Sequence, residues 1–307
     1  MKKVIKKNMS ASVRQKLLNL SLERPENFQL LLTRYALERF LYRLSKNSAC
    51  GDFVLKGAFL FELWKDVPYR ATRDIDFLGY GSAALNRLRR VFVSICQERV
   101  EDDGLIFDAD SIALNVIREE QDYGGMRIRL TAYLGQARIR LQFDVGFGDV
   151  IIPDAEEVEF PVLLDMPAPR IKAYSRYSFV SEKFHTISYH GMANSRLKDY
   201  YDLFLLARFF EFQGNLLAKA ISVTFERRNT LVHEEIPLGL SKAFMKESTK
   251  QRMWKSFLER IGENPRNLTL ETAVKTLQEF LVPPTTALFN KKKFSQHWNP
   301  GGPWTTT

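Results

Sequence analysis

Asp74 and Asp76 stand two positions apart in Arg73-Asp74-Ile75-Asp76. On an extended strand that spacing turns both carboxylates to one side and sends Ile75 and Phe77 to the other. Two carboxylates held this close repel each other unless a cation lies between them, and hard oxygen donors select magnesium or manganese. The chemistry on offer is phosphoryl or nucleotidyl transfer. Alone, an Asp-x-Asp triplet also fits a solvated acidic loop, so its surroundings must decide.

Those surroundings read as a strand-rich framework. Phe53-Val54-Leu55 is a short buried strand, Lys56-Gly57 a tight turn, and Ala58 to Lys65 the following helix. Gly57 permits a close backbone turn, while Lys56 either contacts phosphate or merely flanks it. Before them, Pro25 and Glu26 open a helix whose Phe28, Leu31, Leu32, Tyr35, Ala36, Phe40 and Leu44 form an apolar stripe, with Arg34, Arg39 and Arg43 displaced from it. A helix is expected around Ala83 to Val100. After Gly124-Gly125, Met126, Ile128, Leu130, Ala132 and Leu134 alternate with Arg127, Arg129, Thr131 and Tyr133. A turn at Gly135-Gln136 leads to a second alternating strand, with Arg138, Arg140, Gln142 and Asp144 on its polar face. If that strand lies beside the Asp74 strand, Asp144 becomes a third converging carboxylate. Asp149 falls in a glycine-containing turn and is less firmly placed.

Pro153, Pro161, Pro167 and Pro169 mark a boundary around residues 153–170, beyond which the chain reads as mainly helical. Phe179 to Tyr189 carries Glu182 and Lys183; Leu197 to Phe212 carries Lys198, Asp199 and Asp202. Asp199 and Asp202 are three apart and share a helix face. Lys183 reads as a phosphate-binding cation or as one half of a helix-surface ion pair, and Asp199 also fits an acid complementing a helix N-terminus. His185 and His190 are five apart, on different sides of a helix, and are poor joint metal ligands. Phe204, Phe209, Phe210 and Phe212 are expected in the core, and the tail from Lys291 onward is expected to be irregular.

Composition narrows the function classes. With 307 residues, 45% hydrophobic and 26% charged, the chain can bury a substantial core. Nothing reads as membrane-spanning, and Ser10 to Lys16 is polar where a signal peptide would be apolar, so a cytoplasmic protein is expected. Cys50 and Cys96 are too few and too isolated for a disulfide framework or a zinc site. Residues 1–50 carry 11 Lys or Arg against 3 acids and residues 205–307 carry 15 against 9, whereas the middle has 19 against 24. Basic flanks around an acidic centre suit a polyanion such as RNA, although solvated basic faces give the same count.

The order of these pieces resembles the nucleotidyltransferase AbiEii/AbiGii toxin family, relatives of the MenT toxins in the DNA polymerase beta-like nucleotidyltransferase superfamily. The resemblance rests on Val54-Leu55-Lys56-Gly57-Ala58, Arg73-Asp74-Ile75-Asp76-Phe77, Gln142-Phe143-Asp144-Val145-Gly146, Ser181-Glu182-Lys183-Phe184 and Arg196-Leu197-Lys198-Asp199-Tyr200-Tyr201-Asp202-Leu203. Ala58 departs from the pattern, standing where many nucleotidyltransferases place Gly or Ser. The resemblance implies an α+β, bilobed fold: residues 1–165 a mixed-sheet nucleotidyltransferase lobe with leading helices, and 166–307 a mainly helical lobe completing a cleft. It implies Asp74, Asp76 and Asp144 as catalytic acids holding Mg2+ or Mn2+. It further implies that Lys183 and Asp202 complete the catalytic set, and that Lys56, Gly57, Lys183, Lys198 and Asp199 bind the nucleotide.

The implied activity is transfer of a nucleotide from a nucleoside triphosphate (NTP) to an RNA acceptor, tRNA, by a bacterial toxin neutralised by an antitoxin. Nucleotidylation or phosphorylation of a protein or small molecule, and an inactive nucleic-acid-binding module, are the competing readings. The basic flanks argue against a small acceptor, which does not need them.

Overall fold

The computed structural model describes residues 8–24, 26–64, 70–117 and 125–306; Met1 to Lys7, Pro25, Lys65 and Gly124, which figure in the expectations above, lie outside them. The chain divides into two units. One draws on Met1–Lys65, Ala71–Gly148 and Glu156–Ala173, the other on Asp66–Arg70, Asp149–Ala155 and Tyr174–Thr307.

Two helices open the first unit, α1 (Met9–Glu23) and α2 (Phe28–Lys46). Asn8 and Asn27 cap them, each side chain accepting from backbone amides of the first turn that have no partner within the helix. Strands β1 (Phe53–Lys56) and β2 (Asp74–Gly79) precede α3 (Leu85–Cys96), then come β3 (Leu105–Ile117), β4 (Gly125–Leu134), β5 (Ala137–Phe147), β6 (Glu156–Glu159) and β7 (Arg170–Ala173). They form one seven-stranded mixed sheet in the order β3-β4-β5-β2-β1-β7-β6. The expected alternation in β4 and β5 holds: Met126, Ile128, Leu130, Ile139, Leu141, Phe143 and Val145 are buried, whereas Arg129, Arg138 and Arg140 are exposed. Phe143 packs against Phe40 of α2 and Phe92 of α3, at ring-centroid separations of 4.3 and 5.4 Å, so helices cover the apolar face.

Three expectations in this unit need correction. The segment after Gly57 is a short 3-10 turn, Ala58–Glu62, instead of a helix reaching Lys65; all five of its residues are buried, so it has no solvent stripe on which an amphipathic helix depends. Leu85–Cys96 is shorter at both ends than the helix expected over Ala83 to Val100. Arg39 and Arg43 are buried because Asp103 takes hydrogen bonds from both, Arg39 Nε at 3.0 Å and Arg43 Nη1 at 2.6 Å. A guanidinium can leave water when a carboxylate meets it.

In the second unit α4 (Arg176–His190) and α5 (Leu197–Phe209) lead into a short strand, β8 (Phe212–Gln213), then α6 (Gly214–Arg227), α7 (Lys242–Lys246), α8 (Ser248–Arg260) and α9 (Leu270–Phe289). The tail is largely irregular, as expected, but carries two short strands. Its β9 (His297–Trp298) pairs with β8 and with β10 (Trp304–Thr305). Trp298 is fully buried and donates its indole N–H to the Ala207 carbonyl at 2.7 Å. The phenylalanine cluster also divides: Phe212 is buried, but Phe209 is 42% exposed, and Leu203, Leu206 and Ala207 fill the core from α5. Among the described residues no helix is long and apolar enough to cross a membrane.

Candidate active site

Register places the first group of acids. β2 runs antiparallel to β1 and parallel to β5, so Asp76 has Lys56 as its register partner on one side and Asp144 on the other. Asp74 is level with Gln142, one step along the same face. Asp74, Asp76 and Asp144 therefore share the polar face of two adjacent strands, where the spacing between neighbouring strands is about 4.8 Å.

Gly57 sets how closely the β1 turn approaches Asp76. Its φ of 73° and ψ of −166° lie in a region that essentially only glycine occupies. A Cβ built there would lie 1.9 Å from Asp76 Oδ2, so no other residue fits without moving the carboxylate. Just before β2, the Thr72 hydroxyl donates to Asp74 Oδ1.

Arg127 of β4 is the participant that the sequence reading missed. Its Nε donates to Asp144 Oδ1 at 2.8 Å and its Nη2 to Oδ2 at 2.7 Å, a bidentate pair that occupies both carboxylate oxygens. That hydrogen-bonded pair raises the Arg127 pKa, and the charges of Asp144, Asp74 and Asp76 add to the rise. Parity was the available signal: Arg127 lies on the polar face of β4, directly opposite Asp144 in register. Asp74 and Asp76 carry carboxylate oxygens, the hard donors that a divalent cation takes, on one face; among the described residues no group of three or more His, Cys, Asp or Glu is arranged to hold a metal ion. Asp144 reaches the same level, but its oxygens are engaged by Arg127.

The second unit holds the lysine. Ser175 caps α4, which carries Lys183, and α5 carries Asp199 and Asp202 one turn apart. Lys183 Nζ lies 2.6 Å from Asp199 Oδ1 and 2.9 Å from Asp202 Oδ2, and both acids are fully buried. Burial pulls the ammonium's pKa down, but the two carboxylates outweigh it and leave the value above normal. Asp199 also accepts from Arg196 Nε at 2.7 Å; burial works against its ionisation, yet Lys183 and Arg196 hold its carboxyl well below the usual range. Asp202 takes a bidentate pair from Arg70, at 3.0 and 2.9 Å. Arg70, only four positions before Asp74, was not singled out from the sequence.

Of the two readings of Lys183, the surface ion pair is replaced by a buried one. Asp199 is enclosed at the start of α5, and Lys198 beside it is exposed. His185 is buried and bonded to Thr230 at 2.8 Å; burial and Arg228 lower its pKa to about 4, a neutral core histidine instead of a ligand. Asp149 lies within the second unit, 3.4 Å from Arg228.

The family profile described as nucleotidyl transferase AbiEii toxin, type IV toxin–antitoxin system, matches residues 39–281. Among solved structures, MenT4, the nucleotidyltransferase toxin Rv2826c from Mycobacterium tuberculosis H37Rv, aligns with a TM-score of 0.50 at 17% identity, covering 90% of this chain and 98% of its own. JHP933 from Helicobacter pylori aligns at 0.48 and 15% identity, over 86% of this chain and 94% of its own. No curated protein matches. At 17% identity the MenT4 structure speaks to the fold alone, whereas the profile spans most of the chain, Asp74, Asp76, Asp144, Asp199 and Asp202 included: the chain belongs to the AbiEii nucleotidyltransferase toxin family of type IV toxin–antitoxin systems.

Proposed function

We propose that this protein transfers a nucleotide from an NTP to the hydroxyl of an RNA acceptor, tRNA, in a reaction that depends on a divalent cation and that a partner antitoxin restrains. The observation that carries the reading is the register of β2 and β5, which sets Asp76 level with Asp144 and keeps Asp74 on the same face, against the Gly57 turn.

The acceptor hydroxyl attacks the α-phosphorus, a new phosphorus–oxygen bond forms, the bond to the bridging oxygen breaks, and pyrophosphate departs with that electron pair. Asp74 and Asp76 would hold the magnesium or manganese ion, whose positive charge would offset the negative charge of the phosphate oxygens. Gly57 lets the β1 turn close on Asp76, and Thr72 fixes the orientation of Asp74. The Asp144 carboxylate, whose orientation Arg127 fixes through a bond to each oxygen, is assigned as the base that accepts the hydroxyl proton on a remaining lone pair. In the second unit Lys183 is kept charged by Asp199 and Asp202, which supports its assignment to the triphosphate; both acids are positioning residues.

The test is incubation of the purified protein with magnesium, each labelled NTP in turn, and total tRNA. Label in RNA that disappears in Asp76→Ala, with the melting curve retained, supports the reading. Label in protein instead, or undiminished label in Asp76→Ala, refutes it.

A further inference from the structure

The acids do not stand alone on the polar face of the first unit. Beside Asp74 the sheet forms a groove of about 530 Å³ lined by Arg73, Arg129, Arg138 and Arg140. The register orders them: Arg129 is level with Gln142 and hence with Asp74, Arg140 pairs with Thr131, and Arg138 pairs with Tyr133. Each level is two residues along β5, so the row extends about 13 Å from the Asp74 level to Arg138.

What these four arginines share is one groove; elsewhere in the unit Arg14, Arg24, Arg89, Arg90 and Arg99 also form no ion pair among the described residues, whereas others do. Arg34, Arg39, Arg43, Arg87 and Arg127 each meet a carboxylate at 3.0 Å or closer. Among the described residues, Arg73, Arg129, Arg138 and Arg140 form no ion pair, and Asp74 is the only acid lining their groove. Like charges on one sheet face repel, and strand-borne side chains cannot drift far apart. A solvated face would intermix both signs; a row of one sign concentrates anions.

From this the geometry points to a docking track for the phosphodiester backbone of single-stranded RNA, leading the acceptor's reactive end to Asp74 and Asp76. The inference rests on the proposed RNA acceptor. The chemistry favours a strand over the triphosphate of the incoming nucleotide. A triphosphate concentrates its charge in one short cluster, whereas the guanidiniums are strung over two further levels of β5. Tyr133, half-buried at the far end, adds an aromatic face on which a base stacks, the usual complement of a basic groove for single strands.

The experiment is fluorescence anisotropy of a labelled single-stranded RNA with the full chain, in chelator and without NTP, across a range of potassium chloride. Arg138→Gln with Arg140→Gln should weaken binding roughly tenfold and reduce the slope of log affinity against log salt by ~1.4, since each neutralised phosphate contributes ~0.7. Lys292→Gln with Lys293→Gln, an equal change in charge, should leave the slope near wild type. Binding of a non-hydrolysable NTP with manganese, measured by calorimetry, should be unchanged in both. An unchanged salt slope in the arginine variant overturns the track, and if the wild type still labels RNA the proposed reaction survives. Lost NTP binding with intact RNA binding reassigns the row to the triphosphate and overturns it too. A wild type that neither binds nor labels RNA overturns both.

Discussion

Gly57→Ala is the sharpest perturbation available, because one methyl group tests both the turn and the acid it faces. The new Cβ would lie 1.9 Å from Asp76 Oδ2, 2.6 Å from its Cγ and 2.8 Å from its Cβ, so the Asp76 side chain must swing away. Holding alanine at φ 73° and ψ −166° costs about 1–3 kcal/mol. Forcing Asp76 off its rotamer adds about 1 kcal/mol. A total near 3 kcal/mol lowers the melting temperature by roughly 5 °C in a chain of 307 residues. The effect on transfer should be larger than stability explains: displacing a reacting group by ~1 Å costs about a hundredfold in rate. Thermal melting and single-turnover transfer, both measured well below the melting point, separate the two. A Gly57→Ala variant that melts as predicted but transfers within a few-fold of wild type shows that the position of Asp76 is not catalytic. One that melts like wild type shows that the turn does not have this conformation.

Arg127→Gln removes the guanidinium from an acidic cluster, so manganese should bind several-fold more tightly by calorimetry while transfer falls; weaker binding would mean that Arg127 orients the acids for the metal. Asp103→Asn leaves Arg39 and Arg43 buried without a counter-charge and should cost about 3–5 kcal/mol in urea unfolding, with little change in transfer measured below the melting point. Burial pushes the Glu38 carboxyl up to about 7 from its ordinary 4.5, even though Arg34 and the Leu163 amide oppose the shift. The folded state therefore holds a proton that the unfolded state releases, so this stabilisation is complete below about 4.5 and gone above about 7. Wild type should lose roughly 3 kcal/mol across that window relative to Glu38→Gln, in paired urea titrations.

Much of the acid site was legible because strand parity is a local property. Asp74 with Asp76, and Asp144 with Gln142, follow from period-two alternation, and Gly57 was readable as a turn. What alternation cannot supply is which strand lies beside which. The parallel β2–β5 pairing had to be assumed, and the same missing register hid Arg127 as the partner of Asp144. Arg39, Arg43 and Arg70 escaped for a related reason: a charged residue reads as solvent-facing until its distant carboxylate, Asp103 or Asp202, is brought to it. The two strands of the tail were missed because two-residue strands carry no periodicity. Trp298 is held by packing and by one hydrogen bond to Ala207, neither of which is encoded nearby.

Parallel pairing of β2 with β5 also bears on when this protein becomes chemically competent. Strands joined in parallel need an intervening crossover, and here α3, β3 and β4 all lie between them in sequence. Contacts of such long sequence separation form late, because closing the chain is costly before any packing rewards it. During synthesis Asp74 and Asp76 leave the ribosome well before Asp144, and Lys183 follows later still. No chain that has grown only as far as β4 can bring the three acids together, so the order of chain growth itself delays their assembly until β5 has been made.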